Sequence, residues 1–306
     1  KPEKKKPESK KPEAKKPDDN KPEPKKPDDQ KPEPKKPEEK KPEAKKPEVK
    51  KPEPPKPLPT LGYTNTPRLP GQPWRVHDRA RPRPQIIVPG KPLNQSPAGA
   101  PPSDAIVLFD GTDLSQWCHQ VGDNLSDLRQ PQWKVVDGAF EVLPGAGGLQ
   151  TIGSFGSCQL HLEWASPKKV VGDSQNRGNS GVLLMGQYEI QILDSFQNRT
   201  YADGQAGAVY GQFPPEVNVV RQPGQWNSYD IVFYAPKFDP KGVLLEPARV
   251  TVLHNGVLLH HNRELVGPVG HKVVQEYQAG TPAAPLVLQD HGCLVRFRNV
   301  WVRRLN

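Results

Sequence analysis

From Ala105 onward the chain alternates apolar and polar positions in short runs, each closed by turn residues. Ile106–Phe109 is an apolar run ended by Asp110-Gly111. Trp133–Val136, Asp137-Gly138 and Ala139–Val142 read as a hairpin. Val250–His254, Asn255-Gly256 and Val257–His260 read as a stronger one, because Asn-Gly supplies the two positive φ angles of a type I′ turn. Further strands are expected over 159–164, 181–185, 187–193, 206–211, 228–234, 285–289 and 294–303. No segment sustains a 3.6-residue apolar period at helical length. About eleven short strands, punctuated by Gly, Pro, Asn and Asp, predict an all-β fold over 103–306. Two packed antiparallel sheets, a sandwich or jelly roll, satisfy that pattern.

The preceding third is different in kind. Pro2, Pro7, Pro12 and their successors to Pro52 recur every five residues in a Lys-Pro-acid-x-Lys unit. Proline at that interval removes helix hydrogen bonds, and little apolar surface is available for a strand to bury. Residues 1–57 are therefore expected to be a disordered, extended spacer. Residues 58–102 remain Pro-rich but carry Trp74, Val76, Ile86, Ile87 and Val88, so this leader is expected to lie partly ordered on the domain. The net charge of +9 belongs to these two segments. Residues 103–306 hold fewer Lys and Arg than Asp and Glu. In the repeat each basic pair is followed by an acid and no aromatic is interleaved, which argues against nucleic acid as a partner. A solvated linker, or a tail contacting an anionic envelope surface, fits the repeat better. Cys118, Cys158 and Cys293 are too few for a disulfide framework and match no zinc spacing. No apolar run approaches the roughly 20 residues of a membrane-spanning helix. A first residue of Lys rather than Met is consistent with a removed signal peptide.

The candidate chemistry sits on two strands. In Tyr188–Asp194 the alternation places Glu189 and Gln191 on one face and Ile190 and Ile192 on the other. A bulge near residue 193 would return Asp194 to the Glu189 face. Near the end of the chain Arg296 and Arg298 share a face, with Val295, Phe297 and Asn299 opposite, and His291 sits in the turn Gln289–Gly292 just before. A polar groove built from these rows, with Trp226, Tyr210 and Tyr229 as aromatic platforms, is what a carbohydrate needs. The plain alternative is a polar surface laced with cross-strand ion pairs. No nucleophile elbow and no phosphate-binding Gly-Lys-Ser/Thr loop is present. Gly178-Asn179-Ser180-Gly181 reads as a tight turn into a strand.

Leu108–Gly111, Arg177–Gly181, Tyr188–Ser195, Tyr201–Gln205, Tyr210–Gln212, Trp226-Asn227, Val252–Gly256 and Leu288–Gly292 with Arg296–Asn299 together resemble the 3-keto-disaccharide hydrolase domain family. These motifs span about 105–305 in the family's order. Tyr63–Pro67, Leu69–Gly71 and Val76–Asp78 resemble an extension seen in some members. The resemblance implies a concanavalin-A-like jelly roll, an exported bacterial protein of the periplasm or cell envelope, and cleavage of glycosides already oxidised at C3. Elimination across C1–C2 followed by hydration would give net hydrolysis. On this reading Glu189 is the base, with His291 as alternative base or acid. Arg296 and Arg298 stabilise an enolate, while Asn179, Gln191, Tyr210, Trp226 and Asp194 bind the sugar. The resemblance fixes no cofactor. A divalent ion, with Asp194 as ligand, is an alternative to one arginine. The domain is also similar, more distantly, to laminarinase-type glucanases, whose Glu-x-Asp-x-x-Glu strand corresponds to Glu189, Gln191 and Asp194. The replaced carboxylates argue against a conventional double displacement. A non-catalytic carbohydrate-binding module and a retaining glycosidase are the alternatives.

Overall fold

The computed structural model describes residues 61–90, 100–119 and 129–305. The Lys-Pro repeat lies outside the described residues, so the spacer expected over 1–57 is not described either. The strands, in chain order, are β1 (Gln85–Ile86), β2 (Ile106–Phe109), β3 (Trp117–His119), β4 (Lys134–Val136), β5 (Ala139–Glu141) and β6 (Leu149–Phe155). They continue with β7 (Cys158–Ala165), β8 (Ser180–Leu184), β9 (Tyr188–Ile192), β10 (Val217–Asn218), β11 (Asn227–Tyr234) and β12 (Lys237–Phe238). The last are β13 (Leu244–Glu246), β14 (Arg249–His254), β15 (Val257–Glu264), β16 (Ala284–Leu288) and β17 (Arg296–Arg304).

Two sheets carry the fold, as the alternation predicts. The larger runs β15-β14-β11-β7-β17-β5-β4, with β2 also on β17, and the smaller runs β3-β6-β16-β8-β9. Every pairing within these two sheets is antiparallel. In β7, Leu160, Leu162 and Trp164 are buried while Gln159, His161 and Glu163 are partly exposed. β11 answers with Tyr229, Ile231 and Phe233. Ile190, Ile192, Val182 and Leu184 of the smaller sheet join them in one core. The Tyr229 hydroxyl donates across the layers to the Gln191 carbonyl at 2.7 Å. At about 1.5–3 kcal/mol for each large side chain withdrawn from water, this interlayer contact is the main source of stability.

The turns follow their sequences. Asn255 and Gly256 both take positive φ, 54° and 77°, and close β14 on β15. Asp137 and Gly138 do the same between β4 and β5. Two expectations change. Residues 206–211 form no strand; they touch β9 through an isolated bridge, Ile190 to Val209, because turns interrupt them. Asn299 does not share the Phe297 face: the register of β17 shifts between Arg298 and Trp301, with Asn299 at φ 48°. This bulge turns Asn299 outward to bond His161 and Glu163. The leader docks on the same body. β1 pairs in parallel with β10, Arg81 donates to the Gln212 carbonyl at 2.9 Å, and Arg83 donates to the Thr200 carbonyl at 2.7 Å.

Candidate functional site

β9 is buried on both faces. Ile190 and Ile192 enter the core, and the opposite face, with Glu189 5% exposed and Gln191 1% exposed, is roofed by loops. The carboxyl group therefore lies on the floor of a cleft and not in an open trough. Space for it comes from Gly181 on the neighbouring β8, where a Cβ would strike the Glu189 carboxyl. Burial pushes the Glu189 carboxyl up to about 8, so it holds its proton at neutral pH. The Gln191 amide lies 3.0 Å from Glu189 Oε1. Turned one way it accepts from the protonated acid, and turned the other it donates to the carboxylate. One neighbour thus serves both states.

The walls are held by hydrogen bonds to the floor. Loop residues bond the β9 edge, with Tyr210 N donating to the Glu189 carbonyl at 3.1 Å and Gln191 N to the Ala208 carbonyl at 2.9 Å. Tyr210 consequently stands beside Glu189. Its hydroxyl lies 3.0 Å from that of Tyr201 and 3.1 Å from His271 Nδ1. Burial raises both tyrosines, keeping them as neutral donors. His271 is pushed down, first by burial and then by His77, Lys272 and His291, which favours the free base. A second wall holds Gln175 and Asn179. Asn179 Nδ2 donates to the Gln175 carbonyl at 2.6 Å, and its buried Oδ1 has no partner among the described residues. An unmet buried acceptor of this kind suits a ligand hydroxyl. The third wall is the turn after β16. Ser180 donates to the Gln289 carbonyl at 2.7 Å, and Asp290 accepts from the backbone of Gly145, Gly147 and Gly292, presenting Gln289 and His291. Tyr63 of the leader also lines the cleft, whose volume is about 780 Å³.

Of the residues singled out in the sequence, Glu189, Gln191, Asn179, Tyr210 and His291 meet in this cleft. Arg296, Arg298, Trp226 and Asp194 do not line it. β17 belongs to the other sheet, and its arginines face away from the core. Arg298 Nε pairs with Glu163 at 2.7 Å, and both guanidinium groups lie over the Trp226 ring, at 4.2 Å for Arg298 and 5.7 Å for Arg296. That assembly is the cross-strand ladder of the plain alternative. Arg298→Ala should therefore leave turnover within about threefold of wild type while lowering stability by roughly 1–3 kcal/mol, read by urea unfolding. Asp194 is buried, and its two oxygens take Arg177 Nε at 2.7 Å and the Phe196 N–H at 3.2 Å. With both oxygens engaged it is a lock on the 173–179 loop. Among the described residues no three His, Cys, Asp or Glu side chains are grouped to hold a metal. His271, Tyr201, Gln175 and Gln289 were not singled out by their sequence pattern. Tyr201 lies in a recognisable motif, whereas His271 sits in an irregular loop without periodicity.

Residues 104–303 match the family described as the 3-keto-alpha-glucoside-1,2-lyase-like domain. A solved structure of a provisionally assigned glycosyl hydrolase from Parabacteroides distasonis is 41% identical. The likeness covers 74% of this chain and 93% of that one, with a TM-score of 0.62. A second provisionally assigned glycosyl hydrolase from the same organism is 20% identical over 66% of this chain and 94% of its own, with a TM-score of 0.47. No curated protein matches the chain. The family match and the 41% identical structure together place this chain in the 3-keto-alpha-glucoside-1,2-lyase-like domain family.

Proposed function

We propose that the cleft cleaves glycosides whose sugar already carries a ketone at C3, by elimination and then hydration. The observation that carries this reading is a buried, proton-holding Glu189 in one cleft with two imidazoles and a pair of neutral tyrosine hydroxyls. A ketone at C3 acidifies the C2 proton. His271, with Nδ1–H donating to Tyr210, takes that proton on Nε2. The electron pair becomes an enolate, whose oxygen accepts from Tyr210. Base and oxyanion donor are joined at 3.1 Å, which suits neighbouring positions on one ring. The enolate then re-forms the ketone, C1=C2 appears, and the C1–oxygen bond breaks as Glu189 protonates the departing oxygen. The roles differ from those the sequence suggested, since a carboxyl that keeps its proton at neutral pH is fitted to be the acid. Hydration runs back over the same groups: the Glu189 carboxylate takes a proton from water attacking C1, and the His271 imidazolium returns one to C2. His291, exposed on the rim, is the alternative base.

A retaining displacement needs a second carboxyl about 5–5.5 Å away, and Asp194 is engaged outside the cleft. The test is incubation with a 3-keto disaccharide and with its unoxidised parent, following enone absorbance and released sugar. Turnover of the ketone alone is expected. Comparable cleavage of the parent would overturn the proposal and turn attention to Asp173, which also lines the cleft. Binding of the ketone without any turnover would return the domain to a binding module.

A further inference from the structure

The leader ahead of the family-matched residues is, we propose, a working part of the cleft, with His77 as a positioning residue for the Tyr201–Tyr210–His271 chain. Its mechanistic meaning rests on the function proposed above. His77 and Tyr63 both precede residue 104, where the family match begins. His77 is completely buried, and its backbone takes φ 54°, a conformation a side-chain-bearing residue keeps only when its surroundings enforce it. Asp203 enforces it by accepting from the His77 backbone N at 2.9 Å and binding ring Nδ1 at 3.1 Å. Arg81 Nη1 stands 3.7 Å from Asp203 Oδ2, the oxygen that accepts from the His77 backbone.

So fixed, the imidazole is a common backstop. Its centroid lies 4.2 Å from that of Tyr201, 4.8 Å from Tyr210 and 5.4 Å from His271. Those three side chains form the hydrogen-bonded run of the cleft wall. Tyr63, 6.1 Å from His77, closes the wall from the leader, with Lys272 Nζ 4.0 Å above its ring. Packing alone does not account for this arrangement. An apolar ring would fill the same space, whereas the imidazole requires a buried carboxylate and arginine and leaves Nε2 with no partner among the described residues, at a cost in stability. Such an expense is typical of a site that must hold its side chains to a fraction of an ångström.

The experiment uses the full chain. His77→Asn keeps an amide able to donate to Asp203 but removes the ring. On a 3-keto disaccharide, kcat should fall about tenfold or more with KM within about threefold, since misplacing reacting groups costs rate before affinity. The His271 imidazole, followed by NMR titration, should move up, because His77 is one of the groups, with burial, Lys272 and His291, that hold it down. Unchanged kcat with an unchanged His271 midpoint overturns the proposal. If wild type also fails to turn over the ketone, the functional reading is lost, yet the His271 midpoint still decides the positioning claim. Should the variant not fold, wild type is titrated with a 1,5-anhydro 3-ketone, which has no leaving group. Movement of both His271 and His77 ring signals supports the coupling, and an unmoved His77 signal overturns it.

Discussion

Glu189→Gln is expected to lower turnover of a 3-keto glycoside by roughly 10²–10⁴-fold, the usual contribution of a positioned acid. The same substitution should make the protein more stable at alkaline pH. Burial raises the Glu189 carboxyl from 4.5 to about 8 in the folded chain. Below pH 4.5 the group is protonated in both folded and unfolded states, and the substitution changes little. Between 4.5 and 8 the folded state binds the extra proton, so wild-type stability falls as pH rises and levels off above 8. The penalty reaches up to roughly 5 kcal/mol, and Gln does not incur it. Thermal unfolding of both proteins at pH 5 and pH 9 checks the sign. A variant that loses activity without gaining relative stability at pH 9 would refute the buried, neutral acid while leaving some other role for the residue. Near wild-type turnover would remove Glu189 from the chemistry.

Asp194→Ala should be the most damaging single change to stability near the site, at roughly 1.5–3 kcal/mol, because it leaves the part-buried Arg177 guanidinium with the Phe196 carbonyl as its remaining partner among the described residues. Burial pushes the Asp194 carboxyl up against the pull of Arg177 and the Phe196 N–H. The pair therefore acts mainly through geometry. It ties the 173–179 loop to the end of β9, and that loop carries Gln175 and Asn179 into the cleft. Activity should fall along with stability, and added divalent cation should restore neither. Urea unfolding measures the first effect. A loss of rate rescued by metal in a protein of wild-type stability would mean that Asp194 is a ligand after all.

Much of the fold was legible from local sequence because strand burial is a local property. The alternation in Cys158–Ala165 and Asn227–Tyr234 directly orders which side chains enter the core. Asn255-Gly256 announces its turn because few other residue pairs take two positive φ angles. The motif-bearing segments likewise marked the family correctly. The bulge at Asn299 was invisible because nothing in Phe297–Trp301 demands an extra residue; the shift is set by pairing with β7.

The site divides along the same line. Sequence by itself determined that Glu189 and Gln191 share a face, that Arg296 and Arg298 share another, and that each face is polar. These two rows look alike in one dimension. Only the tertiary structure decided that the first lies beneath five separate segments of the chain, gaining a raised acid and a wall of tyrosines and imidazole, while the second satisfies itself against Glu163 and Trp226. Alternation tells which way a side chain points, but whether it meets water, an ion-pair partner or a cleft depends on what packs above it, and that is set by contacts far apart in the chain.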